Sequence, residues 1–145
     1  MSMLVRVLAG CLMMALCVTV HAAGVTWVLR RLRRAGLPAG FWGATWLFVR
    51  LAIWIVLLHL VEIGAWAAMY VWNGALGDFA TALYFSAVTY TTVGYGDVVL
   101  PPGWRLDGGI EALTGILMCG WSTGFFVAIV SRPHERQPEG DQSWR

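Results

Sequence analysis

The chain has 145 residues and a formal net charge of +2, and 59% of its residues are hydrophobic while 12% are charged. Soluble domains usually contain about 25% charged residues, so we predict that lipid surrounds most of this chain. All basic residues are arginines, and so small a net charge excludes a typical nucleic-acid-binding protein. Membrane lipid is therefore an expected partner, and nucleic acid is not.

The first apolar segment, residues 1–29, is long enough to cross a bilayer as a helix. A rival interpretation is a signal peptide that is cleaved at Val20-His21-Ala22. An arginine cluster follows directly, and positively charged loops tend to stay in the cytoplasm. We therefore favour a retained helix, with its N-terminus outside and the cluster inside. The arginine cluster consists of Arg30, Arg31, Arg33 and Arg34.

The rest of the chain divides where its polarity changes. We predict a basic cytoplasmic loop at 30–45, a membrane domain at 46–131 and a cytoplasmic tail at 132–145. Within the membrane domain, residues 46–72 and 107–131 are each long and apolar enough to span a bilayer. The predicted fold is thus an all-α membrane protein, in which the second helix runs outward and the third returns to the cytoplasm.

A shorter helix is predicted between these two spans, at residues 78–91. Asp78 can cap it, because a carboxylate at a helix N-terminus accepts backbone hydrogen bonds and faces the positive end of the helix dipole. This helix is too short to cross the roughly 30 Å of hydrocarbon, so we expect it to be re-entrant. A span, a half-span, an extended segment and a second span is the order that a pore loop requires.

The extended segment, residues 92–97, reads Thr-Val-Gly-Tyr-Gly-Asp. Non-helical backbone at membrane depth must line water or be buried in protein, because lipid leaves its polar groups unsatisfied. Gly94 and Gly96 stand at alternate positions and tolerate left-handed dihedrals. Alternating left- and right-handed residues turn successive carbonyls toward the same side. Several chains around one axis would then stack these carbonyls into rings that replace the water shell of a cation.

The same stretch resembles the pore module of potassium channels. Residues 84–97, Tyr-Phe-Ser-Ala-Val-Thr-Tyr-Thr-Thr-Val-Gly-Tyr-Gly-Asp, are similar to the pore helix and signature of that family. Thr-Val-Gly-Tyr-Gly is itself the sequence by which potassium filters are recognised, so the choice of ion comes from the resemblance. The resemblance covers about residues 47–130 and extends to small bacterial ion-channel proteins, which end their last helix with a stretch like Gly120-Trp121-Ser122-Thr123.

The resemblance implies a homotetramer in a bacterial plasma membrane that conducts potassium passively, without a cofactor and without enzymatic activity. Gly96 would complete the filter, and Asp97 would lie at the outer mouth, where its charge concentrates cations. The carbonyls that would bind potassium are those of Thr92, Val93, Gly94 and Tyr95.

This chain departs from the family at the support of the filter. Many family members have a Glu in the pore helix that binds the terminal Asp of the filter, and Val88 occupies that position here. Asp97 therefore needs another partner, for which Trp104 and water are the candidates. The inner helix of the family often bends at a glycine. Gly115 and Gly120 are candidates here, either as a hinge or as sites of close helix packing.

Ionisable residues within the apolar segments are candidates for gating or for filter support, because charge in lipid is costly. His59 lies three residues before Glu62, on the same helical face. One hypothesis is a pH-sensitive pair that tunes gating; the other, which we favour, is a structural hydrogen bond that Glu62 accepts from the hydroxyl of Ser86 or Thr89. Glu111 lies about one turn into the third span, where it could support the filter from behind.

Two other classes of function compete with a conducting channel. The alternative is a pore-like subunit that does not conduct and that regulates other channel subunits. The intact filter motif argues against this alternative. The third hypothesis is a small membrane enzyme that uses His59, Glu62 and Glu111. The sequence offers no nucleophile–base pair, metal-ligand spacing or phosphate-binding loop in support of an enzyme.

Overall fold

The computed structural model describes residues 3–36, 38 and 40–131. The described residues form a succession of helices, in agreement with the predicted all-α class. The predicted cytoplasmic tail, residues 132–145, lies outside the described part of the chain. The helices are α1 (Met3–Ala35), α2 (Phe41–Trp72), α3 (Phe79–Tyr90) and α4 (Arg105–Ser131), with a short 3-10 helix at Pro102–Trp104.

Three of these helices are long and apolar enough to cross a membrane, namely Leu4–Ala35, Phe41–Trp72 and the segment Pro102–Ile129 that contains α4. These helices correspond in number and approximate place to the predicted spans. The chain is a multi-pass membrane protein. α3 has 12 residues, which at about 1.5 Å per residue is about 18 Å, a little over half the hydrocarbon thickness.

The ends of the spans differ from the predicted boundaries. α1 continues to Ala35 and α2 already begins at Phe41, so the predicted loop at 30–45 is much shorter. The arginine cluster lies on the last turns of α1, because arginine is a good helix former and its long side chain can extend from the membrane to the interface. α4 begins at Arg105, two residues before the predicted inner helix.

The core between the helices has two parts, an upper part beside α3 and a lower part beyond the C-terminal end of α3. The upper part surrounds α3 and includes the fully buried side chains of Trp66, Tyr70, Tyr90 and Met118. The lower part joins α1, α2 and α4 below the end of α3. α3 is therefore held against α2 and α4 along its length, and the loop that follows it starts from a fixed position. The lower part consists of Val28, Leu51, Ile55, Phe125 and Ile129.

α1 packs against α4 as well as against α2. Gly24 lies under the side chain of Leu58 in α2, and Gly10 lies under Ile110 in α4. Near the start of α1, the guanidinium of Arg6 donates a hydrogen bond to the Gly103 carbonyl and lies 4.9 Å from the centre of the Trp104 ring. α1 is thus fixed to the loop that leads into α4.

Candidate functional site

The short helix α3 begins at the predicted cap. The backbone N–H of Thr81 donates to Asp78 Oδ1 at 2.9 Å, which confirms the predicted role of Asp78. This hydrogen bond holds the pKa of the Asp78 carboxyl below its ordinary value, because it stabilises the charged form. α3 then ends at Tyr90, at the level of the buried core, and the segment 92–97 follows after one turn.

The backbone of that segment alternates in handedness. Gly94 has φ = 51° and Gly96 has φ = 80°, as the glycine spacing predicted. Thr92 also has a positive φ, 62°, which the sequence did not indicate because non-glycine residues rarely adopt this conformation. The N–H groups of Thr92 and Gly94 donate to the carbonyls of Thr89 and Val88, at 2.9 and 3.0 Å. The end of α3 therefore fixes the start of the alternating segment.

The alternating segment is exposed along its whole length in the single chain. The Val93 side chain is 51% exposed and the Tyr95 side chain is 72% exposed. The rest of the described chain leaves more than half of each of these two residues exposed. A protein that places such a segment between two membrane spans needs further protein or water to satisfy it.

Asp97 has a different partner from the ones suggested by the sequence. The hydroxyl of Tyr84 in α3 donates to Asp97 Oδ2 at 2.6 Å, and the Val98 N–H donates to Oδ1 at 3.1 Å. The bond from Tyr84 lowers the pKa of the Asp97 carboxyl. Trp104 was a wrong candidate, since it lies under the guanidinium of Arg6 instead. The residue of α3 that bonds Asp97 is thus Tyr84, which lies about one helical turn before Val88.

Glu111 is fully buried behind α3. The hydroxyl of Tyr70 in α2 donates to Glu111 Oε2 at 2.8 Å. Ser86 of α3 is also fully buried and lies beside Glu111. Glu111 therefore joins α2 and α4 where α3 packs between them, and its predicted role in supporting the segment 92–97 stays a prediction.

Glu62 is the centre of a second buried group, which we call the Glu62 cluster. His21 Nδ1 lies 3.0 Å from Glu62 Oε1, and His59 Nδ1 lies 3.5 Å from Glu62 Oε2. The hydroxyl of Tyr90 donates to Glu62 Oε2. Ser86 and Thr89 were the wrong partners in α3, although the helix was right. The Glu62 cluster consists of His21, His59, Glu62, Tyr90 and Ser122.

The comparison with protein families decides how this arrangement is classified. A family model described as an ion channel matches residues 56–132, more than half of the chain. The chain belongs to this ion-channel family. No curated protein and no solved structure gave a significant match. The match begins within α2 and covers α3, the alternating segment and α4, so α1 lies outside it.

The two candidate hinge glycines of the channel have different surroundings. A Cβ atom on Gly115 would overlap the backbone carbonyl of Tyr90, whereas a Cβ on Gly120 would meet nothing within 4 Å in the described chain. Both lie inside the continuous helix α4. Gly115 is thus a site of close packing between α4 and the end of α3, and the hinge hypothesis stays a prediction for both residues.

Sequence reasoning missed four residues that bond the carboxylates of the channel, namely His21, Tyr70, Tyr84 and Tyr90. Each bonds a carboxylate that lies between 13 and 41 positions away in the chain. His21 had one signal, since an imidazole inside an apolar span is costly and calls for a partner. The tyrosines had none, because a tyrosine next to a membrane boundary is ordinary.

Proposed function

We propose that the chain is the subunit of a potassium-selective channel, in which four copies surround a filter formed by residues 92–97. The observation that carries this proposal is the alternating backbone at Thr92, Gly94 and Gly96 at the end of a short helix between two spans. This geometry turns successive carbonyls to one side, as rings of potassium ligands require. The ligands in the proposal are the carbonyls of Thr92, Val93, Gly94 and Tyr95.

The exposure of the alternating segment supports assembly into a ring. One chain leaves the residues of this segment exposed, and membrane lipid cannot satisfy the polar groups of a non-helical backbone. Around a common axis, the carbonyls of the copies face one another across water and ions, while Val93 and Tyr95 point outward. α3 would be re-entrant, with its negative C-terminal end directed at the inner cavity, where it favours a cation.

The arginine cluster supports an orientation in a bacterial plasma membrane. Positive charge at the end of a span stays in the cytoplasm, so the end of α1 at Arg33 and Arg34 lies inside and the filter faces outward. The N-terminus is then outside and the C-terminus cytoplasmic. Potassium ions and lipid are the partners in this proposal, and no cofactor is needed for passive conduction.

Flux through purified protein in liposomes tests the proposal. Liposomes loaded with potassium are diluted into sodium buffer without valinomycin, and the inside-negative potential is followed with a dye. We expect a potassium-selective flux that barium blocks. A non-selective flux would overturn the potassium assignment. Folded, incorporated protein without any flux would favour the non-conducting subunit, and it would be tested again in mixtures with conducting channels.

The bond between Tyr84 and Asp97 leads to a prediction about the filter. We expect Tyr84→Phe to lower sustained potassium flux several-fold at neutral pH, because the end of the filter loses its link to α3. The pKa of Asp97 is lowered by this bond, so the bond contributes above the ordinary Asp pKa and is lost as pH falls through the lowered value. Wild type and variant should therefore converge in acid.

A double-mutant cycle provides the control for Tyr84. Asp97→Asn alone should reproduce the effect in part, and adding Tyr84→Phe to it should change flux little, since residues that act through one bond are not additive. Independent, additive effects of the two substitutions would show that the hydrogen bond does not support the filter.

A further inference from the structure

The Glu62 cluster joins α1, α2, α3 and α4 at one point. Glu62 and His21 are fully buried, and His59 is 16% exposed. The Nδ1 atoms of both imidazoles face the same carboxylate, at 3.0 Å for His21 and 3.5 Å for His59. The Nε2 atoms of both imidazoles face the same hydroxyl, Ser122 Oγ, at 3.0 and 3.3 Å. The rings are therefore held side by side, with centroids 5.2 Å apart.

The cluster is short of one positive charge. With neutral imidazoles and an ionised Glu62, each of His21, His59, Tyr90 and Ser122 supplies a single proton. Each polar contact of the cluster needs one proton as a hydrogen bond, and the cluster has one contact more than it has protons. One contact must then join two lone pairs, which is unfavourable in a buried site. An added cation, either a proton or a metal ion, removes this conflict.

The hydroxyl of Ser122 can accept a hydrogen bond from both imidazoles at once, and this arrangement suits a metal ion. When both Nε2–H groups donate to Ser122 Oγ, both Nδ1 lone pairs are directed at the Glu62 carboxylate. In a metal-ligating histidine, a hydrogen bond from the ring nitrogen that does not bind the metal fixes the tautomer and orientation of the ring. Ligand atoms of His21, His59 and Glu62 lie within 4.8 Å of one another. Small side-chain movements would bring them to the bond lengths of about 2.0–2.2 Å that zinc requires.

Two imidazoles and one carboxylate form a ligand set typical of zinc and similar divalent metals. Tyr90 offers a fourth ligand, its hydroxyl oxygen, which lies 3.1 Å from His59 Nδ1 and is bonded to Glu62. Tyr90 is also the last residue of α3. The negative end of that helix stabilises a cation beside it, which offsets the cost of the net positive charge that the ion brings.

We propose that His21, His59 and Glu62 bind one divalent transition-metal ion of the zinc class, with the hydroxyl of Tyr90 as the fourth ligand. The site is distinct from the potassium path, because its ligands are side chains between helices rather than filter carbonyls. Its effect is to tie α1, which lies outside the matched family residues, to α2 and to the end of α3. Metal binding would thus stabilise the position from which the filter begins.

Metal content and thermal stability of the purified channel test this site. The protein is prepared in detergent with an affinity tag that contains no histidine, incubated with zinc chloride and dialysed. We expect about one zinc per chain and a higher Tm. Cobalt should replace zinc and give the visible absorption of a four-coordinate site. X-ray absorption of the zinc-loaded wild-type protein should show two imidazole ligands, and this measurement needs no variant.

Histidine variants give a matched comparison. His21→Asn and His59→Asn should each weaken zinc binding by about 100-fold or more. The loss of a residue that merely hydrogen-bonds a metal ligand already lowers metal affinity by about 10–100-fold. The chain has three histidines, and the third, His134, is in the segment 132–145 outside the described residues. His134→Asn should leave zinc content and the Tm rise unchanged.

Several results would overturn the proposal. Wild-type protein that retains no zinc after dialysis would show that a proton alone completes the cluster. Loss of binding in His134→Asn, with retention in His21→Asn, would show adventitious binding at the tail. An X-ray absorption spectrum of the zinc-loaded wild-type protein that shows no imidazole ligands would exclude the site, even if the His21 and His59 variants failed to fold. These outcomes are independent of potassium flux, so failure here leaves the proposed function standing.

Discussion

Replacing Gly94 by Val is expected to abolish potassium flux while leaving the channel folded and assembled. Gly94 has φ = 51°, and a β-branched residue is a genuine outlier in this region. The left-handed conformation costs about 1–2 kcal/mol per L-residue, so the proposed ring of four chains would lose about 4–8 kcal/mol. At about 1.4 kcal/mol per tenfold change, the population of conducting filters falls by more than about 100-fold.

Gly74 provides the matched control for Gly94. Its φ is 69°, a Cβ atom there would meet nothing within 4 Å, and it lies in the exposed turn after α2. Gly74→Val therefore introduces the same kind of backbone strain outside the filter, and we expect normal flux per folded channel. Crosslinking in liposomes measures assembly, and the dye assay measures flux. Equal flux in Gly94→Val and wild type would contradict the proposed filter.

Gly115→Ala is expected to destabilise the channel by about 1–3 kcal/mol, the usual cost of overpacking. The new methyl group would overlap the carbonyl of Tyr90, and packing of α3 against α2 and of α4 against α1 opposes their separation. A drop of several degrees in Tm, followed by tryptophan fluorescence in detergent, measures this effect.

Gly120→Ala makes the same chemical change in the same helix. A Cβ atom at Gly120 would meet nothing within 4 Å in the described chain, so the variant should gain up to about 1 kcal/mol from helix propensity. Opposite signs at the two glycines would show that close packing, rather than helix propensity, determines the role of Gly115. Stabilisation by both substitutions would contradict the close approach of α4 to Tyr90.

The sequence predicted the parts of this channel that depend on local chemistry. Asp78 was recognised as a cap because the capping bond spans only three residues. Gly94 and Gly96 were recognised because their conformational freedom is a property of the residue itself. Span boundaries were predicted less well, since Arg33 and Arg34 extend α1 and hydropathy alone places the boundary at the first arginine.

Partners between helices could not be predicted in the same way. Tyr84 and Asp97 are 13 positions apart, and their contact depends on how the segment 92–97 folds back along α3. The contact of His21 with Glu62 depends on the packing of α1 against α2, about which the periodicity of two fully apolar helices says little. One sequence allows many pairings of buried polar groups, and tertiary packing selects among them.

The bond between His21 and Ser122 also has a consequence for biosynthesis. These residues are 101 positions apart, whereas His21 and Glu62 are 41 positions apart. A ribosome adds about 5–20 residues per second. Glu62 is therefore synthesised roughly 2–8 s after His21, and Ser122 roughly 5–20 s after His21. The first two helices therefore emerge as a pair that can already close around a buried carboxylate. We expect the later half of each newly made chain to dock against this pair.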